Sequence, residues 1–170
     1  MNRIILIGFM GAGKTTVGKR LAKRLAIPFF DTDQLIEKQE GMTVSRIFEE
    51  FGEPRFRELE TKLLQTRWTD QEQWVLSAGG GLPLRDENRK LLKQAGKVAY
   101  LRVQTDTVLR RLKGDTSRPL LQGEDVRGRV DALLSCRGPL YEEAADFVVD
   151  ADGKSPEDIL RELLRLTDTL

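Results

Sequence analysis

The chain has 170 residues, with 28 Lys and Arg against 27 Asp and Glu, one cysteine and no histidine. That length suits a single domain able to bury roughly 70% of its unfolded surface, and the balanced charge gives no general attraction to nucleic acid or to an anionic membrane. Cys136 alone forms no internal disulfide, and without histidine there is no imidazole chemistry and almost no zinc ligand set, which leaves carboxylates, Lys, Arg, hydroxyls, backbone amides or an oxygen-held metal. No apolar run reaches the ~20 residues of a membrane span, and the apolar N-terminal stretch reads as a strand rather than a signal peptide, so a cytoplasmic protein is expected.

Helical and strand patterns alternate from end to end. Ile4–Ile7 reads as a strand running into Gly8-Phe9-Met10-Gly11-Ala12-Gly13-Lys14-Thr15, the P-loop pattern G-x-x-x-x-G-K-[ST], and Val17, Leu21 and Leu25 mark the helix after it. Pro28–Phe30 reads as a short strand ending in Asp31-Thr32-Asp33, with a helix from Leu35 and Ile36 to Gly41. Thr43 can cap the next helix, whose Val44, Ile47, Phe48 and Phe51 share a face and which Gly52 should stop. A further helix carries Phe56, Leu59, Leu63 and Leu64. Trp74–Leu76 is a third strand, ending in Gly79-Gly80-Gly81, and Val98–Leu101 a fourth. Residues 105–112 read as helix and 113–124 as a polar, glycine-containing stretch. Val126, Val130, Leu133 and Leu134 line a long helix that Pro139 should break or kink. Phe147–Val149 is a fifth strand, and Ser155-Pro156-Glu157-Asp158 opens a last helix with Leu160, Leu163 and Leu164 buried. Strands alternating with helices imply a parallel sheet covered on both faces, with ligands bound beyond the strand carboxyl ends.

The chemistry sits at those ends. In the P-loop, backbone N–H groups curl round phosphate oxygens at a helix N-terminus, Lys14 reaches the β- and γ-phosphates, and Thr15 sits on Mg²⁺. Asp31 and Asp33, two apart in an extended segment, would point the same way; one can support Mg²⁺ and the other accept a proton from an attacking hydroxyl, or one can simply cap a helix. Three consecutive glycines suit either close approach of backbone to a ligand or a plain turn. Among the arginines, Arg57, Arg111, Arg118 and Arg137 stand in distinctive contexts. Arg118 lies in the polar stretch between two helices, where a closing segment can carry a cation to the phosphoryl group in flight.

Six motifs in order make the chain resemble the shikimate kinases, in the nucleoside-monophosphate-kinase branch of P-loop proteins, over essentially its full length. They are the P-loop, Asp31-Thr32-Asp33, Gly-Glu-x-x-Phe-Arg-x-x-Glu at 52–60, Gly79-Gly80-Gly81, Arg-Pro-Leu-Leu at 118–121 and Arg-x-Pro-x-Tyr at 137–141. The resemblance implies a three-layer α/β/α domain over 1–170, five parallel strands in order 2-3-1-4-5, a substrate-binding region at about 32–61 and a lid at about 112–124. It implies transfer of the γ-phosphate of ATP to the 3-hydroxyl of shikimate, in aromatic amino acid biosynthesis. Gly11, Ala12, Gly13, Lys14, Thr15 and Thr16 would hold the ATP phosphates, with Thr15 and Asp31 serving Mg²⁺. Arg111, Lys154 and Pro156 would flank the adenine, and Arg118 would reach the phosphates from the lid. Asp33 would bind the reacting hydroxyl and act as base, while Arg57, Arg137 and the Gly80 amide would bind the shikimate carboxylate. Lys14, Asp33 and Arg118 would be the catalytic groups. The family often has Thr where this chain has Ala78.

A gluconate or nucleoside monophosphate kinase of similar build is the nearest alternative. A regulatory module that binds ATP without transfer is the other, although it should have lost Lys14, Asp33 or Arg118. Nothing calls for an obligate partner, and a monomer is expected.

Overall fold

The computed structural model describes residues 3–66, 73–118 and 121–168. Five strands, β1 (Arg3–Ile7), β2 (Phe29–Asp31), β3 (Trp74–Ser77), β4 (Lys97–Arg102) and β5 (Phe147–Asp150), form one sheet in the order β2-β3-β1-β4-β5. Every pairing is parallel, with Ile5 opposite both Leu76 and Val98. The central strands read as unbroken apolar runs because both faces are covered: Ile4–Ile7, Trp74–Leu76 and Val98–Leu101 are all buried.

The described residues also form seven α-helices: α1 (Lys14–Leu25), α2 (Thr32–Glu40), α3 (Val44–Thr66), α4 (Asp86–Ala95), α5 (Thr105–Arg111), α6 (Val126–Ala144) and α7 (Pro156–Asp168). α1 packs on α7, whereas α4 packs on α3 and α6. The β1-to-β2 and β3-to-β4 crossovers run in opposite directions across the sheet, so right-handed connections put α1 and α4 on opposite faces. Between β1 and β3 the winding reverses. There the P-loop leaves β1 and the three glycines leave β3, the crevice in which open α/β sheets bind ligands.

Several sequence expectations need correction. α2 starts at Thr32 rather than near Leu35, because Asp31 caps it by accepting hydrogen bonds from the N–H groups of Asp33 and Gln34. Asp31 and Asp33 therefore do not lie in one extended segment; Asp31 ends the strand and Asp33 belongs to the first helical turn. Gly52, at φ 80° and ψ 168°, is non-helical and stops the first helical segment as expected; a second segment follows it, so α3 is two helices meeting at a kink. Pro139 does not break α6, which continues to Ala144 with Tyr141 and Ala144 fully buried; losing one N–H donor is outweighed by that packing. The hydrophobic pattern does not announce α4. Its buried face includes Asn88 and Arg89 beside Leu92, a polar set that hides the helical period. The opening of α7 follows expectation, with reciprocal bonds between Ser155 and Asp158.

Candidate active site

The P-loop backbone is bent by Gly11 and Gly13, at φ 77° and 93°, into a cradle at the N-terminus of α1. Lys14 folds across it, donating to Gly8 O at 2.7 Å and Phe9 O at 3.0 Å. Burial lowers its pKa to about 8, against the opposing attraction of Asp33. Thr15 Oγ1 donates to Asp31 Oδ2 at 3.1 Å, while Asp31 Oδ1 is taken up in capping α2. One Asp31 oxygen thus builds the helix and the other accepts from Thr15 beside the cradle, so capping leaves an oxygen on that side.

Thr15 and Asp31 offer hard oxygen donors beside the phosphate cradle. Among the described residues no group of three or more His, Cys, Asp and Glu could hold a metal. A pair of oxygens suits Mg²⁺, which keeps water and substrate phosphates as most of its ligands, so the residues present fit that ion.

Asp33 lies beyond the cradle. Its Oδ1 is buried with no hydrogen-bond partner among the described residues, and burial, then the neighbouring Asp31 carboxylate, raise its pKa. Above it run the three glycines, none with positive φ; at Gly79 and Gly81 the requirement is space rather than backbone conformation. A Cβ on Gly79 would stand 2.8 Å from Asp33 Oδ1, and one on Gly81 would overlap the Arg57 guanidinium. Gly80 lies between the P-loop and Arg137, with its Cβ position 3.5 Å from Gly8 O and 3.7 Å from Arg137 Nη1. Tyr141, one helical turn after Arg137 on α6, donates its hydroxyl to Gly80 O at 2.6 Å.

Arg57 is held from two sides: Nη1 meets Glu60 Oε1 at 2.6 Å, and Nε and Nη2 reach Glu53 Oε1 at 3.3 and 3.2 Å. Glu60 is fully buried. Burial drives its pKa up to about 7 despite the Arg57 charge. Arg137 lies over the Phe9 ring, its guanidinium carbon 5.7 Å from the ring centre.

These groups open into two cavities. One, of about 680 Å³, is lined by Arg57, Arg137, Glu60, Phe48 and Phe56; the other, of about 250 Å³, by Gly11, Gly13, Lys14, Thr15, Thr16 and Asp31. Met10, Asp33, Gly79, Gly80 and Arg118 line both. The P-loop cavity and the arginine-lined cavity are therefore adjacent, with Asp33 and Arg118 in the shared wall. A shikimate kinase family model matches residues 10–168.

The chain belongs to the shikimate kinase family. Shikimate kinase of Thermodesulfovibrio yellowstonii is 46% identical over 165 residues, covering 97% of this chain and 94% of that protein. Shikimate kinase from Acinetobacter baumannii, solved in complex with shikimate, superposes with a TM-score of 0.92 at 40% identity, covering 99% of this chain and 94% of that one. The Aquifex aeolicus shikimate kinase structure gives a TM-score of 0.85 at 36% identity, covering 98% and 96%.

The remaining expected residues divide. Arg118 reaches both cavities while paired with Asp115 at 3.2 Å; its neighbours Pro119 and Leu120 lie outside the described residues. Arg111 turns its edge to backbone carbonyls, Nη1 meeting Gly11 O at 2.9 Å and Ala12 O at 3.1 Å and Nη2 meeting Ala151 O at 3.1 Å. Lys154 is ion-paired with Glu162 at 2.5 Å, and Pro156 opens α7. Neither Lys154 nor Pro156 lines the two cavities. Ala78 is buried behind the glycines. Glu60 and Tyr141 close two of the six motifs but carried no expected role. Their signals were present in the Arg-x-x-Glu and Arg-x-Pro-x-Tyr spacings, which place each one helical turn after an arginine.

Proposed function

We propose that this chain transfers the γ-phosphoryl group of ATP to the 3-hydroxyl of shikimate, giving ADP and shikimate 3-phosphate for aromatic amino acid biosynthesis. The observation that carries this reading is the wall shared by the two cavities, with Asp33 positioned between the phosphate cradle and the arginine-lined space. Arg57 and Arg137 flank Gly80 and Gly81 and present guanidinium forks suited to a carboxylate, to which the Gly80 amide adds a donor. With the acid clasped there, a ring hydroxyl lies toward Asp33.

Asp33 accepts that hydroxyl's proton as the oxygen attacks the γ-phosphorus; the bond to the β-bridging oxygen breaks and ADP leaves with those electrons. Burial and the neighbouring Asp31 carboxylate raise the pKa of Asp33, which strengthens it as a base. Lys14 swings from the Gly8 and Phe9 carbonyls to the phosphates, and Gly11, Ala12, Gly13, Thr15 and Thr16 supply the surrounding cradle. Thr15 and Asp31 would hold Mg²⁺, which when bound neutralises phosphate charge. Arg118, carried on a lid spanning about 112–124, leaves Asp115 for the phosphoryl group in transit. Arg111, Lys154 and Pro156 border the adenine.

We read residues 1–170 as one kinase domain, working as a monomer in the cytoplasm, with 32–61 forming the acceptor-binding region. No helix among the described residues is long and apolar enough to cross a membrane. ADP release coupled to NADH oxidation, with ATP, Mg²⁺ and shikimate, tests the reaction. Gluconate and nucleoside monophosphates serve as controls, and faster turnover with any of them would overturn the acceptor assignment.

A further inference from the structure

Arg111 ends α5 and its side chain reaches two segments distant in sequence. The acceptors are Gly11 O, Ala12 O and Ala151 O, at 2.9, 3.1 and 3.1 Å. Ala151 is itself fixed, since it is buried and donates its N–H to Arg102 O at 2.9 Å. Beside the arginine, Leu112 packs against Gly11, with its Cγ 3.2 Å from where a Cβ would stand.

A peptide unit is planar, so holding a carbonyl also aims the N–H of the next residue. Holding Gly11 O fixes the peptide whose N–H, on Ala12, closes the loop on Phe9 O at 3.2 Å, and holding Ala12 O orients the N–H of Gly13. Both lie in the loop whose inward amides form the phosphate cradle. The loop needs such a hold, because Gly11 and Gly13 make rotation of these peptide planes inexpensive. A guanidinium can provide it, because its planar fork satisfies three carbonyls at once, whereas an ammonium acts as a point charge.

We propose that Arg111 is a positioning residue for the polyphosphate, bracing two P-loop peptide planes against Ala151 so that the Ala12 N–H stays on Phe9 O and the Gly13 N–H faces the ligand. This deepens the kinase reading and rests on it only in requiring that the loop bind a polyphosphate. The brace uses the edge of the guanidinium and leaves its face free for the adenine. It also joins the phosphate cradle directly to the segment that carries Lys154 and Pro156.

Arg111→Lys retains the charge and removes the fork. Calorimetric titration with inorganic tripolyphosphate, which has no base, separates bracing from adenine contact. The variant should bind tripolyphosphate and ATP about tenfold more weakly, as loss of charge-assisted hydrogen bonds implies, with melting temperature and shikimate affinity unchanged. Weaker ATP binding with unaltered tripolyphosphate affinity would assign Arg111 to the base alone and overturn the brace. An equal loss of shikimate affinity, or no tripolyphosphate binding by the unaltered protein, would overturn it as well. Failure of the kinase reading is distinguishable, since it appears as no shikimate-dependent ADP release by the unaltered protein, whatever tripolyphosphate does.

Discussion

Asp33 and Glu60 aim carboxylate oxygens at one spot: a methyl group on Gly79 would lie 2.8 Å from Asp33 Oδ1 and 3.1 Å from Glu60 Oε2. Both oxygens are buried without a hydrogen-bond partner among the described residues. Asp33 has a short side chain with little room to yield. Gly79→Ala should therefore push its carboxylate out of line and lower kcat by about 100-fold, as a displacement near 1 Å can do. Steady-state kinetics on the folded variant tests this, and wild-type turnover would show that the spacing is unimportant.

Asp33→Asn keeps the size and removes the base. Phosphoryl transfer to shikimate should fall by about 10²- to 10⁴-fold, while ATP binding by calorimetry stays close to wild type. Full activity would eliminate Asp33 as the proton acceptor.

Arg57→Ala and Arg137→Ala should weaken shikimate binding by about 2–5 kcal/mol, as loss of a partner from a buried charge pair does, and spare ATP affinity. Arg57→Ala has a second consequence, because it leaves the buried Glu60 without its cation. The double variant Arg57→Ala/Glu60→Gln should regain thermal stability without regaining shikimate affinity. Recovery of both would place the Arg57 effect in folding alone.

Glu60 makes stability depend on pH in a stated direction. Its folded pKa, about 7, lies above the ordinary 4.5. Below that ordinary value both states are protonated and burial costs nothing extra. Between the two values the unfolded chain ionises first, so stability falls as pH rises and levels off above about 7. The loss is about 3 kcal/mol at most. Urea unfolding from pH 4.5 to 8 should show this decline, and Glu60→Gln should flatten it.

Tyr141→Phe removes the hydrogen bond to Gly80 O and leaves the ring packed at 5.1 Å from Tyr100. Shikimate KM should rise about fivefold, the scale of one hydrogen bond, with kcat and ATP KM little changed. Unaltered shikimate KM would mean that Gly80 is positioned by its neighbours alone.

Much of this site could be read from the chain because each group is a local signal at a strand end. The P-loop has fixed spacing, Asp31 and Asp33 follow an apolar pair, and Gly79-Gly80-Gly81 has no place in a regular element. Where reasoning failed, the deciding partner was remote in sequence. Glu60 looks like one more charge on a helix until Asp33 and Gly79, distant in sequence, close over it. Arg111 reads as a helix end, and only the folded chain brings it to carbonyls 100, 99 and 40 residues away. In α4, Asn88 is buried because it meets Thr61 Oγ1 and the Leu82 carbonyl, a polar satisfaction invisible to hydrophobic periodicity.

The five residues common to both cavities also constrain inhibitor design. A single compound spanning nucleotide and acid subsites must thread its tether between Asp33 on one flank and Gly80 on the other. A slim, uncharged connector capable of hydrogen bonding suits that passage, whereas an anionic or branched one meets a carboxylate and a backbone with no side chain to fold aside.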